Sequence, residues 1–569
     1  MSIAQQQAWL AQINGGDFVA NSGAAIAAAA SDAAVPTDIE VVVYDKYWRP
    51  QGELNNYISL KATIARLKLD QAQIAVDAND PLGPALLQCW QTLVPVTITF
   101  SNGALRRAFW VETADDKELE DGTRVIECQL AGIMTYLDRV LVWPHPFLPI
   151  EVQPSEAMYI GPTVTCLKTM VAENSLRLQL GLWELFNYLG SLDPDWRTWF
   201  GTLLIDSQQG LSGLMNAVTT PVCVIPWDPL TDTSIWTAFH GRMDTCWKLI
   251  TQQIKDNGLY PSLDLWMPGD PQPGGPLGLL FPLRVPTYVF NIKDYSGVTG
   301  PTGTAFDGLL QVGLDAEAGL LGGVLAPFLN PGNEYVPPGS NIAIAPVLGV
   351  NFTPPWVIFN ADVDDSGITS LDIAYHAPLA WSVVLGGRSP QWLNDLLNAT
   401  LEYLIDMLML FIGISGIPNT MLDGILSNAF LAFEVFENFN VRKSQGPYGP
   451  PEKFFPSQST YNVDTLMDAI KALWDVRGYP AAQFGFVNGQ GYQVGRDVFP
   501  GALASVIKRG TVFTDYVDVI TVTDDVNNRG RVEVQVGDGK REESPMAIFQ
   551  RKLVGLEEDI NMMLLAPPS

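Results

Sequence analysis

Histidine is nearly missing from this chain of 569 residues: there are three, His145, His240 and His376. They stand too far apart for a helical metal pair or an H-E-x-x-H zinc site, so each reads as a packed or surface side chain. Cysteine is scarce too. Cys89, Cys128, Cys166, Cys223 and Cys246 are odd in number and include no C-x-x-C pair, which signals neither a disulfide framework nor a zinc knuckle and predicts buried thiols. Basic residues number 33 against 61 acidic ones, a formal charge of -28. So acidic a chain opposes sequence-independent DNA binding, which needs Lys and Arg to displace phosphate counterions. Also missing are a G-x-S-x-G elbow, a Walker loop and any local signature of a catalytic cysteine. No enzyme chemistry and no cofactor are expected. The first 36 residues have no basic stretch ahead of an apolar core, so no signal peptide is read there and synthesis in a reducing cytoplasm is expected.

What is present is apolar material. Hydrophobic residues make up 47% of the chain, with 16 Trp, 17 Tyr and 25 Phe, enough for several cores and for large contacts between subunits. The length predicts several domains, because single cores stop growing well below it.

After an N-terminal arm, 1–36, residues 37–150 read as a small β-barrel. Val94, Val96, Ile98 and Phe100 alternate up to Asn102-Gly103, and "ALRRAFWVETA" returns as the second strand of a hairpin. Ile126, Cys128 and Leu130 alternate in the same way. Residues 151–266 read as mainly helical. "GPTVTCLKTMVAEN" starts with a proline suited to a helix start, and "GRMDTCWKLITQQIKDNGL" places Met243, Trp247, Ile250 and Ile254 on one face before Gly258. Residues 267–355 form a Gly/Pro-rich insertion. Two hairpins, 356–385 and 511–537, predict a second barrel-like domain over 356–390 and 505–540. Between them, 391–504 reads as an inserted helical region containing a hydrophobic helical hairpin, broken at "GISGIPNT". A C-terminal helix is expected within 541–569. The fold class is therefore α+β: two small β-barrels, a helical middle domain and the inserted hairpin.

Few residues suggest a site. Asp362, Asp364 and Ser366, followed by Gly367, match the start of a calcium loop, but Ile373 stands where the bidentate Glu belongs. An ordinary acidic turn outweighs a calcium site. "GQGYQVG" lacks the third-glycine spacing of a dinucleotide turn. Leu408, Phe411, Ile412, Phe430 and Phe433 belong to the apolar region 401–436. Its charge-free run 407–417, bracketed by Asp406 and Asp423, falls short of the roughly 20 residues a spanning helix needs. A buried subunit interface is favoured, with membrane contact as the alternative. Tyr44, Asp45 and Trp48 either pack and hydrogen-bond within the first barrel or sit on an exposed turn.

The order of "YDKYWRPQGEL", "IARLKLDQAQIAVDANDPLGPALL", "GALRRAFWVE", "IECQLAGIMTYLDRVLVWPHP", "CLKTMVAEN", "WTAFHGRMDTCWKLITQQIKDNGLY", "LWMPGDPQP" and "VFTDYVDVITVTDD" resembles the minor tail proteins of siphophages that infect actinobacteria, in particular their baseplate hub family. The likeness covers most of the chain. It implies a homotrimer at the virion tail tip whose two barrels per subunit mimic the tube fold. Its implied partners are the distal tail protein and tail tube, the tape measure protein, and other minor tail or receptor-binding proteins. DNA would be met only in transit, and an acidic conduit suits a polyanion that must not adhere. Two other functions stay open: a tail-associated peptidoglycan hydrolase, and a tip protein that penetrates the host membrane through 401–436.

Overall fold

Alternation of apolar and polar side chains builds most of the frame. A computed structural model describes residues 39–554, apart from 101–104, 119–121, 192, 196, 208–215, 275–278, 280–281, 321–344, 346–347, 354, 356, 365, 389–432, 460–462, 490–491, 541–546, 549 and 553. The first lobe holds β1 (Glu40–Tyr44), β2 (Pro50–Glu53), β3 (Tyr57–Ala65), β4 (Gln71–Asp77), β5 (Pro95–Phe100), β6 (Leu105–Glu118) and β7 (Arg124–Gly132). Every pairing among them is antiparallel. In the hairpin expected at 94–111, Thr97 faces Ala108. Val96, Ile98 and Phe100 point into the core, as do Ile126, Cys128 and Leu130 of β7.

A middle layer follows, with β8 (Ala157–Pro162), helix α1 (Thr163–Gln179), β9 (Val222–Val224), β10 (Trp236–Gly241), helix α2 (Cys246–Asn257), β11 (Leu259–Trp266) and β12 (Thr287–Asp294). Helix α2 begins where the Thr245 hydroxyl accepts a hydrogen bond from the Lys248 amide at 3.3 Å and ends at Gly258 with φ 65°, the left-handed closing residue a helix favours. Met243 is not on its face: it precedes the helix with φ 57°. The region is less helical than its sequence predicts, because short strands such as β9 carry too few alternating residues to register.

Within 267–355 lie β13 (Val298–Thr299), helix α3 (Ala305–Leu320) and β14 (Asn351–Phe352). Beyond come β15 (Ile358–Asn360), β16 (Ile368–His376), β17 (Ser382–Arg388), β18 (Phe433–Glu437), β19 (Glu452–Ser459), helix α4 (Val463–Val476), β20 (Tyr479–Val487), β21 (Leu503–Lys508), β22 (Thr511–Asp524) and β23 (Arg531–Val536). The chain is thus mixed α/β and rich in strands. The hairpin at 511–537 is present, with Val522 facing Val532. The one expected at 356–385 is not: β15 runs parallel to β21, and β16 pairs with β20. Alternation marked these strands correctly but says nothing about partners.

The two expected barrels do not form separate sheets. One thirteen-stranded sheet runs β16-β20-β23-β22-β3-β4-β7-β6-β5-β1-β2, with β21 and β15 branching from β22. The join is β22 against β3, where Val522 faces Ala62. One apolar core backs both lobes, from Val41 to Val536, and a second fills the middle layer around Leu167, Ile250 and Phe290. Continuity follows from the core: side chains of β3 and β22 point to the same face and would be half exposed if the strands parted.

Candidate interaction cleft

Asp45 follows β1 and shapes the turn there. One of its carboxylate oxygens accepts from the amides of Tyr47 and Arg49, both at 2.9 Å, and its carbonyl accepts from Trp48 N–H at 2.9 Å. Short acidic side chains hold turns in this way. Trp48 adopts φ 60°, a conformation that costs a bulky residue roughly 1–3 kcal/mol. The turn sends the indole inward, where it is buried between Tyr44, at 5.4 Å between ring centroids, and the edge of Tyr288, at 6.0 Å. Tyr47 points outward, with Lys46 and Arg49 over its ring at 5.2 and 5.3 Å. Burial pushes the Tyr288 phenol up to about 12, so it stays neutral and acts as wall.

This turn forms one side of a cleft of about 1310 Å³. Trp110 of β6, Tyr136 and Arg139 also line it, as do Pro221, Met267, Arg284, Val285 and Tyr288. Four cations line it, Lys46, Arg49, Arg139 and Arg284, and among the described residues no carboxylate does. In a chain with nearly twice as many acids as bases, that local excess is the reverse of the average. Only Arg139 of the four has an ion pair among the described residues, with Glu112 at 3.2 Å. "YDKYWR" displays half the site in sequence, whereas Arg139 and Arg284 reach it only through the fold.

A polar junction ties β6 of the first lobe to the middle layer. Arg106 pairs with Asp270 and donates to the Leu265 carbonyl at 2.7 Å. Arg107, almost wholly buried, donates to the Tyr260 hydroxyl at 2.9 Å. Burial opposes its charge, yet Tyr260, Asp70 and Asp264 outweigh that and hold it protonated. Asp70 is pushed up to about 6, chiefly by burial, against the pull of Arg107. Asp515 is pushed up to about 7 by burial, with Asp518 and Asp538 adding to the shift.

The residues singled out in sequence do not converge. Asp362 pairs with Lys508 at 3.2 Å and accepts from the Arg509 amide at 2.6 Å. Asp364 is exposed beside it, and Ser366 is partly buried. Among the described residues no group of three His, Cys, Asp or Glu could hold a metal ion. Leu408, Phe411, Ile412 and Phe430 lie outside the described residues. Phe433, expected on a helix, begins strand β18, exposed and 6.3 Å from the Phe454 ring; "FEVFE" alternates with period two, the signal a helical reading overrode. No described helix is long and apolar enough to cross a membrane. His145 and His240 sit at the middle layer, His240 3.6 Å from Glu156, and His376 stacks on Tyr479 at 4.5 Å.

Comparison with known proteins follows the same outline. The chain is 26% identical over 296 residues to Minor tail protein Gp28 of Mycobacterium phage L5, covering 48% of this chain and 45% of that protein. It is also 26% identical over 331 residues to Minor tail protein Gp28 of Mycobacterium phage D29, covering 52% of each. The chain thus spans about half the length of the curated relatives it matches. Among solved structures, the tail protein from Neisseria meningitidis MC58 superposes with a TM-score of 0.36 at 11% identity, over 90% of this chain and 99% of that one. A superposition that loose adds nothing to the assignment. The family described as Siphovirus ReqiPepy6 Gp37-like protein matches residues 40–538, from the first strand of the sheet to just past its last, and the chain belongs to that family.

Proposed function

We propose that this chain is a structural minor tail protein and serves as the baseplate hub of a siphophage tail tip. Three copies form a ring that joins the tail tube and distal tail protein to the tape measure and receptor-binding proteins, and that lines or closes the channel through which DNA leaves. The family match over 40–538 carries this reading. It spans both ends of the thirteen-stranded sheet, so it covers a single scaffold and not a detachable module. The two lobes of that sheet, the strands of 37–150 and strands β15, β16 and β20 to β23, are the two barrel-like units of each copy. The apolar residues Leu408, Phe411, Ile412, Phe430 and Phe433 belong to a buried interface with neighbouring tail proteins.

The charge of -28 supports the same reading, since like charge keeps a passing polyanion from sticking. Native mass spectrometry of the full chain, together with cryo-electron microscopy of the tail tip, tests it. A threefold ring at the end of the tube is expected. A monomer in solution that also occupies a peripheral position on the virion would sink the proposal.

A further inference from the structure

The cationic cleft has an acidic counterpart beside it on the same chain. Strand β6 is long, and its two halves differ. The inner half, 105–111, is mostly buried and pairs with β5, whose register ends where Pro95 faces Trp110. The outer half, 112–118, is almost entirely exposed and pairs only with β7 among the described strands. Seven residues at about 3.3 Å each make this free edge about 23 Å long. It is acidic. Glu112, at the root of this half, is already paired with Arg139 of the cleft; beyond it Asp115, Asp116 and Glu118, with Glu127 of β7, have Lys117 and Arg124 as their neighbouring cations. Those two cations are already taken in the hairpin, by Glu127 at 2.6 Å and Asp116 at 2.9 Å. Asp115 and Glu118 have no ion pair among the described residues.

A free strand edge invites pairing, and acidic charge restricts what will cover it to something basic. The cleft supplies that chemistry: Lys46, Arg49 and Arg284 are unpaired among the described residues, beside the exposed apolar side chains of Leu93 and Ile205. Its volume exceeds the roughly 300–1000 Å³ of a small-molecule site and suits a polypeptide segment. The edge springs from the rim of the cleft, where Trp110 of the same strand is part of the lining and Glu112 pairs with Arg139. Its outer carboxylates and the cleft cations are therefore neighbouring but distinct patches, and a contact between them in successive copies closes into a ring when the rotation allows.

We propose that the exposed end of strand β6, residues 115–118, of one copy docks in the Lys46/Arg49/Arg284 cleft of the next, and that this contact holds the self-assembly. The inference rests on the proposed homo-oligomer and names the surface that makes it.

Charge exchange tests it in the full-length chain. Arg49→Glu with Arg284→Glu reverses the cleft, and Asp115→Lys with Glu118→Lys reverses the hairpin. Analytical ultracentrifugation of the wild type should show an oligomer at about 0.1 M salt that loosens toward 1 M, where the screening length falls to about 3 Å. Each double variant should weaken assembly at least about tenfold. The quadruple variant should restore it, which misfolding from either double would not do. Circular dichroism and urea melts check that each variant folds. If both doubles assemble like the wild type, or the quadruple stays apart, the docking contact is wrong while the oligomer stands. A monomeric wild type overturns both. A short DNA duplex added to the wild type decides the other occupant: duplex binding lost in the cleft variant, with assembly unchanged, also overturns the proposal.

Discussion

The guanidinium carbon of Arg66 lies 3.6 Å from the centroid of the Tyr516 ring, so a residue just after β3 is stacked on one in β22, near opposite ends of the chain. The backbone follows the same line, with the Arg66 amide donating to the Asp518 carbonyl at 2.9 Å. Both side chains are buried. Three acids whose protonated forms burial favours, Asp294, Asp515 and Asp518, surround the pair. This is the seam where the two lobes of the sheet become one, and its polar chemistry governs how firmly they hold.

Replacing Arg66 separates the parts of that seam. Arg66→Lys keeps the charge but loses the flat face that stacks on Tyr516, and should cost about 1–2 kcal/mol. Arg66→Ala also opens a hole and leaves Asp515 and Asp518 without their nearest cation, so about 2–4 kcal/mol is expected. Urea denaturation of the full chain measures both. Equal losses for Lys and Ala would show that stacking, not charge, is the whole contribution.

The seam also predicts how stability depends on pH. In the folded protein Asp515 keeps its proton up to about 7, whereas an unfolded Asp releases it near 3.9. Between those values the folded state binds more protons, so this group's contribution to stability falls as pH rises through about 4 to 7. Asp70, pushed up to about 6, acts in the same direction. Asp515→Asn removes the charge and should stabilise the protein by about 1–3 kcal/mol at pH 8, after discounting for partial solvent access. The gain should vanish at pH 4. Thermal melts at the two pH values check it, and a gain of equal size at both would show that burial of the charge is not its cause.

How much of this was legible in sequence depends on distance along the chain. The β5–β6 hairpin, helix α2 with Gly258 at its end, and the β22–β23 hairpin are local patterns, and each was readable. Pairings that cross hundreds of residues were not. Alternation marks 368–376 as a strand but cannot tell that its partner is β20, nor that β22 lies beside β3. The cleft shows the same limit. Lys46 and Arg49 flank an evident aromatic turn, but their likeness to Arg139 and Arg284 is positional, and position is set by the assembled sheet. Phe433 was misread because apolar content outweighed its period-two spacing.

A last prediction concerns Gly258, which closes α2 with φ 65° and sits against the seam. A Cβ there would stand 2.7 Å from the Tyr516 hydroxyl oxygen and 3.2 Å from the Ser296 Cβ. Gly258→Ala therefore adds a steric clash to the roughly 1 kcal/mol cost of a left-handed alanine, and about 2–3 kcal/mol of destabilisation is expected. The two costs can be separated, because the Tyr516 hydroxyl is buried with no hydrogen-bond partner among the described residues. Tyr516→Phe alone should be neutral or slightly stabilising, since it removes an unsatisfied polar group. In the double variant the closest clash, with the hydroxyl, disappears while the Ser296 contact and the backbone cost remain, so about half the loss should return. Urea melts of the wild type, both single variants and the double give the coupling. Additive effects would mean that Tyr516 does not meet residue 258, and would put the α2 end away from the seam.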